Sequence, residues 1–182
     1  QARKFLEGEE SLKKARDVLE GEASFDENLW KSIIEMGFTA TTIPEEYDGL
    51  GLGYLELCVI AEELGRSLAP TPFSSSVYLA TEAILRFGSD DQKRAYLPKL
   101  AAGEIIGCFA HSESNTSPTE ENISCSFDGS KLTGQKIVVS DGDVADFAIV
   151  SAKNGGSVGL CIVDLKSEGV EINTETTLDP SR

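Results

Sequence analysis

Apolar positions follow helical spacing up to about residue 105 and strand spacing after it. The spacing predicts a first helix over 2–20, with Phe5, Leu12, Ala15 and Leu19 near one face and Gly21 as its stop. A second begins at Ser24, with Glu27 three residues on as a capping-box partner. Leu29, Trp30, Ile33 and Ile34 follow at helical spacing, and Gly37 suits the C-terminal cap. A third runs from about Tyr54 to Ser67, carrying Leu57, Cys58, Ala61 and Leu64, with Glu56, Glu62 and Glu63 on the wetter side. A fourth spans Ser75 to Phe87 and stops at Gly88. A fifth is capped by Ser89 with Gln92, carries Tyr96 and Leu97, and ends by Gly103. Pro98 within it implies a bend or a break.

The second part reads as strands and turns. Ile105 to Ser112 is a continuous apolar run, and Asn122 to Phe127 a short alternating one. Lys131 to Ser140, Phe147 to Ala152 and Val158 to Leu165 are further candidates. Asp128-Gly129, Asp141-Gly142 and Asn154-Gly155-Gly156 punctuate them. Turns this close favour antiparallel pairing, because parallel strands need long crossovers. The fold class is therefore α+β in two domains, an all-α helical domain over 1–104 and an antiparallel β domain over 105–182.

Composition narrows the class. With 40% hydrophobic and 26% charged residues the chain reads as an ordinary globular protein. No apolar run approaches the roughly 20 residues of a membrane span, and the N-terminus lacks the apolar core of a signal peptide. The expected compartment is the cytoplasm. There are 31 acidic against 16 basic residues, a net charge of −15. That balance argues against nucleic acid as a partner, since phosphate binding is driven by clustered Lys and Arg. Cys58, Cys108, Cys125 and Cys161 are far apart in sequence and sit in apolar stretches, so they read as buried, reduced thiols and form no CxxC motif. The single histidine, His111, leaves no His-rich metal site, and no metal is expected. Trp30 reads as core, and the pairs Glu45-Glu46 and Glu62-Glu63 as solvated charges.

The glycine-rich stretch Asp48-Gly49-Leu50-Gly51-Leu52-Gly53 invites a dinucleotide-loop reading. The fingerprint needs a preceding strand, a βαβ unit and a different spacing. It reads better as a turn between helices, with glycines at positive φ.

A wider ordered set carries more information. Gly37-Phe38, Ile43-Pro44-Glu45-Glu46-Tyr47, Gly49, Gly51 and Ala61-Glu62-Glu63-Leu64-Gly65 come first. Gly88-Ser89, Gln92-Lys93, Tyr96-Leu97-Pro98 and Ala102-Gly103-Glu104 follow. This order resembles the N-terminal helical domain of acyl-CoA dehydrogenases. Further on, Cys108-Phe109-Ala110-His111-Ser112-Glu113 stands where that family has an aromatic, a small residue, a variable residue and Thr-Glu-Pro. Gly134-Gln135-Lys136-Ile137-Val138-Val139-Ser140-Asp141-Gly142 resembles the family's G-x-K-x-W-I-T-N-G stretch. Thr177 to Arg182 resembles a region still inside the family's middle domain.

The resemblance implies a partial β-barrel for the middle domain, and truncation before a C-terminal four-helix domain. It implies FAD as cofactor and oxidation of the Cα–Cβ bond of an acyl-CoA. It also implies an electron-transfer flavoprotein as redox partner, homo- or hetero-oligomers, and a catalytic carboxylate beyond Arg182. Carried over by position, Phe109, His111, Ser112, Val138 and Ser140 would lie along the flavin. Ser112 and Ser140 keep the hydroxyls of the two family threonines. Val138 stands where the family has Trp, Ser114 replaces Pro, and the usual Gly-Ser-Asp is absent from the loop Ser114 to Pro118. These departures support a second reading, a non-catalytic structural subunit of a heteromeric dehydrogenase.

Overall fold

The computed structural model describes residues 1–21, 23–115 and 119–175. Residues 116–118 of the Ser114–Pro118 loop, and Thr177 to Arg182, lie outside the described residues. Among the described residues, six α-helices precede the sheet: α1 (Ala2–Gly8), α2 (Ser11–Glu20), α3 (Glu27–Glu35), α4 (Tyr54–Arg66), α5 (Glu82–Phe87) and α6 (Asp90–Ala101). A π-helical segment, Ser74–Thr81, leads directly into α5. The strands are β1 (Gly107–Ala110), β2 (Ser126–Phe127), β3 (Leu132–Thr133), β4 (Phe147–Asn154) and β5 (Ser157–Asp164). The helices-then-strands order is as the spacing predicted.

Several local expectations change. The first predicted helix is two, broken where Glu10 adopts φ 52°. Leu6, rather than Leu12 or Leu19, is its buried leucine, because the break resets the helical phase between α1 and α2. Helix α3 is capped by Asp26, whose carboxylate accepts from the Leu29 N–H at 2.7 Å. Ser24 instead donates to the Asp143 carboxylate in the sheet region. Glu63 is buried rather than wet, and its carboxylate accepts two hydrogen bonds from Arg3, at 2.7 and 3.0 Å. That pairing holds the Glu63 carboxyl below the usual carboxylate range. Helix α6 is continuous through Pro98, and its Ser89/Gln92 capping box forms as expected. Cys58 is exposed, unlike the buried Cys108 and Cys125.

The glycine-rich turn is tied to the segment before it, with Leu50, Gly51 and Leu52 N–H donating to the carbonyls of Ala40, Ile43 and Thr41. Any Cβ at Gly49 would lie 1.9 Å from the Ile43 carbonyl oxygen, so this glycine serves backbone packing.

The pairing is mixed rather than wholly antiparallel. β2 with β3 and β4 with β5 are antiparallel, and the β4–β5 loop is the predicted Gly155-Gly156 pair. β1, however, runs parallel to β4, from Gly107 opposite Phe147 to Ala110 opposite Val150, and β2 meets β4 in parallel at Lys153. The long connection through 111–146 supplies the crossover that parallel strands require. β5 lines one edge of β4 throughout, so β1 and β2 share the other edge end to end. Lys131 to Ser140 forms strand only at Leu132–Thr133.

The sheet has two buried faces. Phe147 and Ile149 pack with Ala80, Ile84, Leu97 and Leu100, which joins the sheet to the helices. Cys108, Ala110, Ala148 and Val150 point the other way, onto Cys125 and Ala145. Gly107 permits the close approach of β1 to the helices. A Cβ there would lie 2.6 Å from both Ala80 and Phe147. A second cluster around Leu29, Trp30, Ile33, Phe73 and Val77 fills the helical part.

Candidate functional site

The residues singled out by sequence lie on two segments, the end of β1 with its continuation (109–112) and the irregular stretch 134–142. The structure joins them. The Ile137 N–H donates to the Ser112 carbonyl at 2.9 Å. Lys136 reaches across with its ammonium and spends all three donors: 2.6 Å to Glu113 Oε1, 2.9 Å to Ser151 Oγ and 3.1 Å to the His111 carbonyl.

Glu113 is equally engaged. Besides Lys136, it accepts from the Ser124 N–H at 2.6 Å, the Ser124 hydroxyl, and the Cys125 N–H at 3.0 Å. Both side chains of the pair are only 8% exposed. Burial alone would raise the Glu113 carboxyl; Lys136, Ser124 and Cys125 outweigh it and hold the group at about 2. A buried ion pair with every polar atom satisfied is a structural rivet. It fastens 111–113, 124–125 and 136 into one unit.

His111 continues this network, with Nδ1 2.8 Å from Ser151 Oγ. Ser151 is the next residue on β4 after Val150, the partner of Ala110, so His111 faces it just where β1 ends. Phe109 packs on the helical side of the sheet, and its ring lies 6.0 Å from the His111 ring. Ser112 is half-buried and Ser140 exposed. Among the described residues, neither of their hydroxyls has a hydrogen-bond partner. Val138 is 84% exposed and adopts φ 54°. That conformation is unusual for a β-branched residue.

The turn itself is held from below. Asp141, also left-handed at φ 57°, accepts at its carbonyl from the Val144 and Ala145 N–H groups. Its carboxylate lies 2.6 Å from the Ser75 hydroxyl of the π-helical segment. Cys108, on the β1 face turned away from the helices, is pushed up to about 12 by burial, with the Asp141 charge adding to it. Such a thiol stays protonated and inert.

Sequence reasoning had not found Lys136, Ser151, Asp141 or Ser75 as parts of this assembly. Lys136 and Asp141 lie inside the Gly134–Gly142 motif, which was the available signal. Nothing local marks Ser75 or Ser151, which meet the site only through the fold.

Comparison with known proteins identifies the family. A family description, acyl-CoA dehydrogenase, N-terminal domain, matches residues 1–104. The chain belongs to the acyl-CoA dehydrogenase family. The mitochondrial isovaleryl-CoA dehydrogenase of Solanum tuberosum is 34% identical over 163 residues, covering 85% of this chain and 40% of that protein. A glutaryl-CoA dehydrogenase from Mycobacterium smegmatis, solved in complex with FADH2, superposes with a TM-score of 0.85 at 26% identity, over 99% of this chain and 48% of that one. The ChsE4–ChsE5 complex from Mycobacterium tuberculosis gives 0.85 at 26% identity, over 97% of this chain and 48% of the other. The chain thus spans about 40% of the length of its plant relative. The cytoplasmic expectation draws no support from that relative, which is mitochondrial by name. Among the described residues, no helix is long and apolar enough to cross a membrane.

Proposed function

We propose that this chain is part of an FAD-dependent acyl-CoA dehydrogenase and supplies one edge of its flavin site. The observation that carries the reading is a pair of hydroxyls without a partner among the described residues, Ser112 and Ser140, on two segments that the Lys136–Glu113 pair and the Ile137–Ser112 bond hold together. Each hydroxyl can donate to or accept from a ring heteroatom. Such hydroxyls suit the polar edge of a flavin, and Phe109, His111 and Val138 stand on the same two segments. FAD, when bound, supplies the hydride acceptor for oxidation of the Cα–Cβ bond.

Glu113 is not the base of this reaction. A carboxyl held at about 2, with both oxygens occupied, has neither the basicity nor the access to take an α-proton. In this reading the catalytic carboxylate belongs to chain outside these 182 residues. The helical domain is taken as 1–104 and the β domain as beginning at 105. Acyl-CoA is the substrate, an electron-transfer flavoprotein the redox partner, and an oligomer the working form. The M. smegmatis neighbour with FADH2 supports the cofactor, and the two-component M. tuberculosis neighbour supports an assembly with other subunits.

One observation favours a second reading. Val138 presents a small aliphatic side chain to solvent where the family places a Trp against the flavin ring. A subunit that has lost this contact fits a supporting role in a heteromeric dehydrogenase.

A visible spectrum separates the two. The full-length gene product, purified alone, should carry a flavin band that an acyl-CoA bleaches. A colourless protein that takes up FAD only when mixed with a second subunit overturns the first reading and establishes the second.

A further inference from the structure

We infer that Ser75 is a positioning residue for the candidate flavin edge: it acts through Asp141 to fix the turn 138–142 that carries Val138 and Ser140. This rests on the reading of that edge given above. Ser75 sits in the π-helical segment Ser74–Thr81 of the helical part, and is 1% exposed. Asp141 belongs to the sheet part, 66 residues on. Their 2.6 Å contact is a direct polar tie from the helical layer to the turn.

The chemistry of the tie is asymmetric. One hydroxyl proton has two acceptors in reach, the Asp141 carboxylate at 2.6 Å and the Pro72 carbonyl at 3.1 Å. The shorter, charge-assisted contact takes it. The adjacent Ser76 hydroxyl accepts from the Gly107 N–H at 3.3 Å, at the start of β1. Two consecutive serines of one wide helical turn therefore hold two pieces of the sheet part, the first residue of β1 and the turn after Ser140. The Thr81 hydroxyl returns to the Ser76 carbonyl at 2.8 Å, spanning five residues as the π-helix does.

The turn needs such a tie. Val138 and Asp141 both occupy the left-handed region, which Asp tolerates but a β-branched residue adopts only when its surroundings impose it. Asp141 is fixed through its carbonyl by Val144 and Ala145, and through its side chain by Ser75. The segment before Val138 is fixed by Ile137 and Lys136. Val138 to Ser140 are thus stretched between two anchors, and the second of them is the Ser75–Asp141 contact.

The test uses the full-length protein with Ser75→Ala, Asp141→Ala and Asp141→Asn. Two readouts are taken: amide hydrogen exchange across 138–145, and the Kd for FAD from titration of the flavin-free protein. Ser75→Ala and Asp141→Ala should speed exchange at Gly142, Val144 and Ala145, and weaken FAD binding, each by roughly tenfold. Asp141→Asn keeps an acceptor and tolerates the left-handed backbone, so both readouts should stay within about threefold of the native protein. Unchanged exchange in Ser75→Ala overturns the inference. Faster exchange with an unchanged FAD Kd also overturns it, because the turn then moves without the flavin edge noticing. If the native full-length protein takes up no FAD but Ser75→Ala still speeds exchange, the tie stands and the flavin reading falls.

Discussion

The helical cluster and the polar junction below the candidate edge are both well buried, but they bury different things. Leu29, Ile33, Phe73 and Val77 are almost fully enclosed and need only volume around them. Each contributes about 1.5–3 kcal/mol by leaving water, and a neighbour of similar size would serve nearly as well. The Glu113 and Lys136 side chains are less completely enclosed, at 8% exposed, and depend on named partners. Such a pair adds little net stability over an apolar substitute, but it is costly to break halfway. The helical part tolerates exchange of side chains, whereas the junction tolerates it only in matched sets. That difference suits a junction that must hold two loops at fixed positions.

The comparison breaks most visibly at Lys136. Lys136→Met should cost about 3–5 kcal/mol, because Glu113 is left buried without its counter-charge. Adding Glu113→Leu to the same chain should return most of that loss, and urea unfolding of the single and double variants measures it. No recovery in the double variant would show that the junction is held by something other than charge pairing.

In the helical cluster the effect should be additive and purely volumetric. Ile33→Ala should cost about 2–4 kcal/mol, and Ile33→Val about 1 kcal/mol. A larger loss for Val than for Ala in the same urea experiment would contradict simple packing.

Acid should separate the two regions. Glu113 titrates at about 2 in the fold against an ordinary 4.5. A carboxyl with a depressed folded pKa stabilises only while ionised. Its contribution is complete above 4.5 and is lost as pH falls from there toward about 2. The amount is on the order of 3 kcal/mol. The gap in unfolding free energy between the native chain and Glu113→Gln, taken from urea unfolding at about pH 6 and about pH 3, should shrink by more than half at the lower value. Equal gaps at both values would remove Glu113 from the acid response. Ile33→Val should keep its deficit across the same range.

The smallest effect belongs to Val138. It is exposed, and its left-handed backbone suits glycine better than valine. Val138→Gly should therefore stabilise the fold by about 0.5 kcal/mol, relief of strain slightly exceeding the entropy that glycine adds to the unfolded chain. A drop in melting temperature would show that the Val138 side chain makes contacts of its own.

Much of the helical part was legible because its signals are local. The spacing of Leu29, Trp30 and Ile33, the Ser89/Gln92 box and the glycine at 37 each act within one or two turns of chain. The misreadings there were also local competitions: Asp26 out-capped Ser24, and a left-handed Glu10 split one periodic run into two helices. The sheet part was less legible. Its turns at Asp128-Gly129 and Gly155-Gly156 could be read, since such dipeptides favour tight hairpins. The parallel pairing of β1 with β4 could not, because it depends on where a long connection returns.

For this protein, then, local patterning in the chain was enough for most of the helices, the hairpins and, through motifs spread along it, the acyl-CoA dehydrogenase family. These depend on periods and spacings of a few residues. Tertiary structure alone decided that Glu63 is buried beside Arg3, that Lys136 satisfies Glu113 and Ser151, and that Ser75 reaches Asp141. Each of these is a polar contact between residues far apart in the chain. Its partner is chosen by strand register and helix placement, which no local spacing encodes.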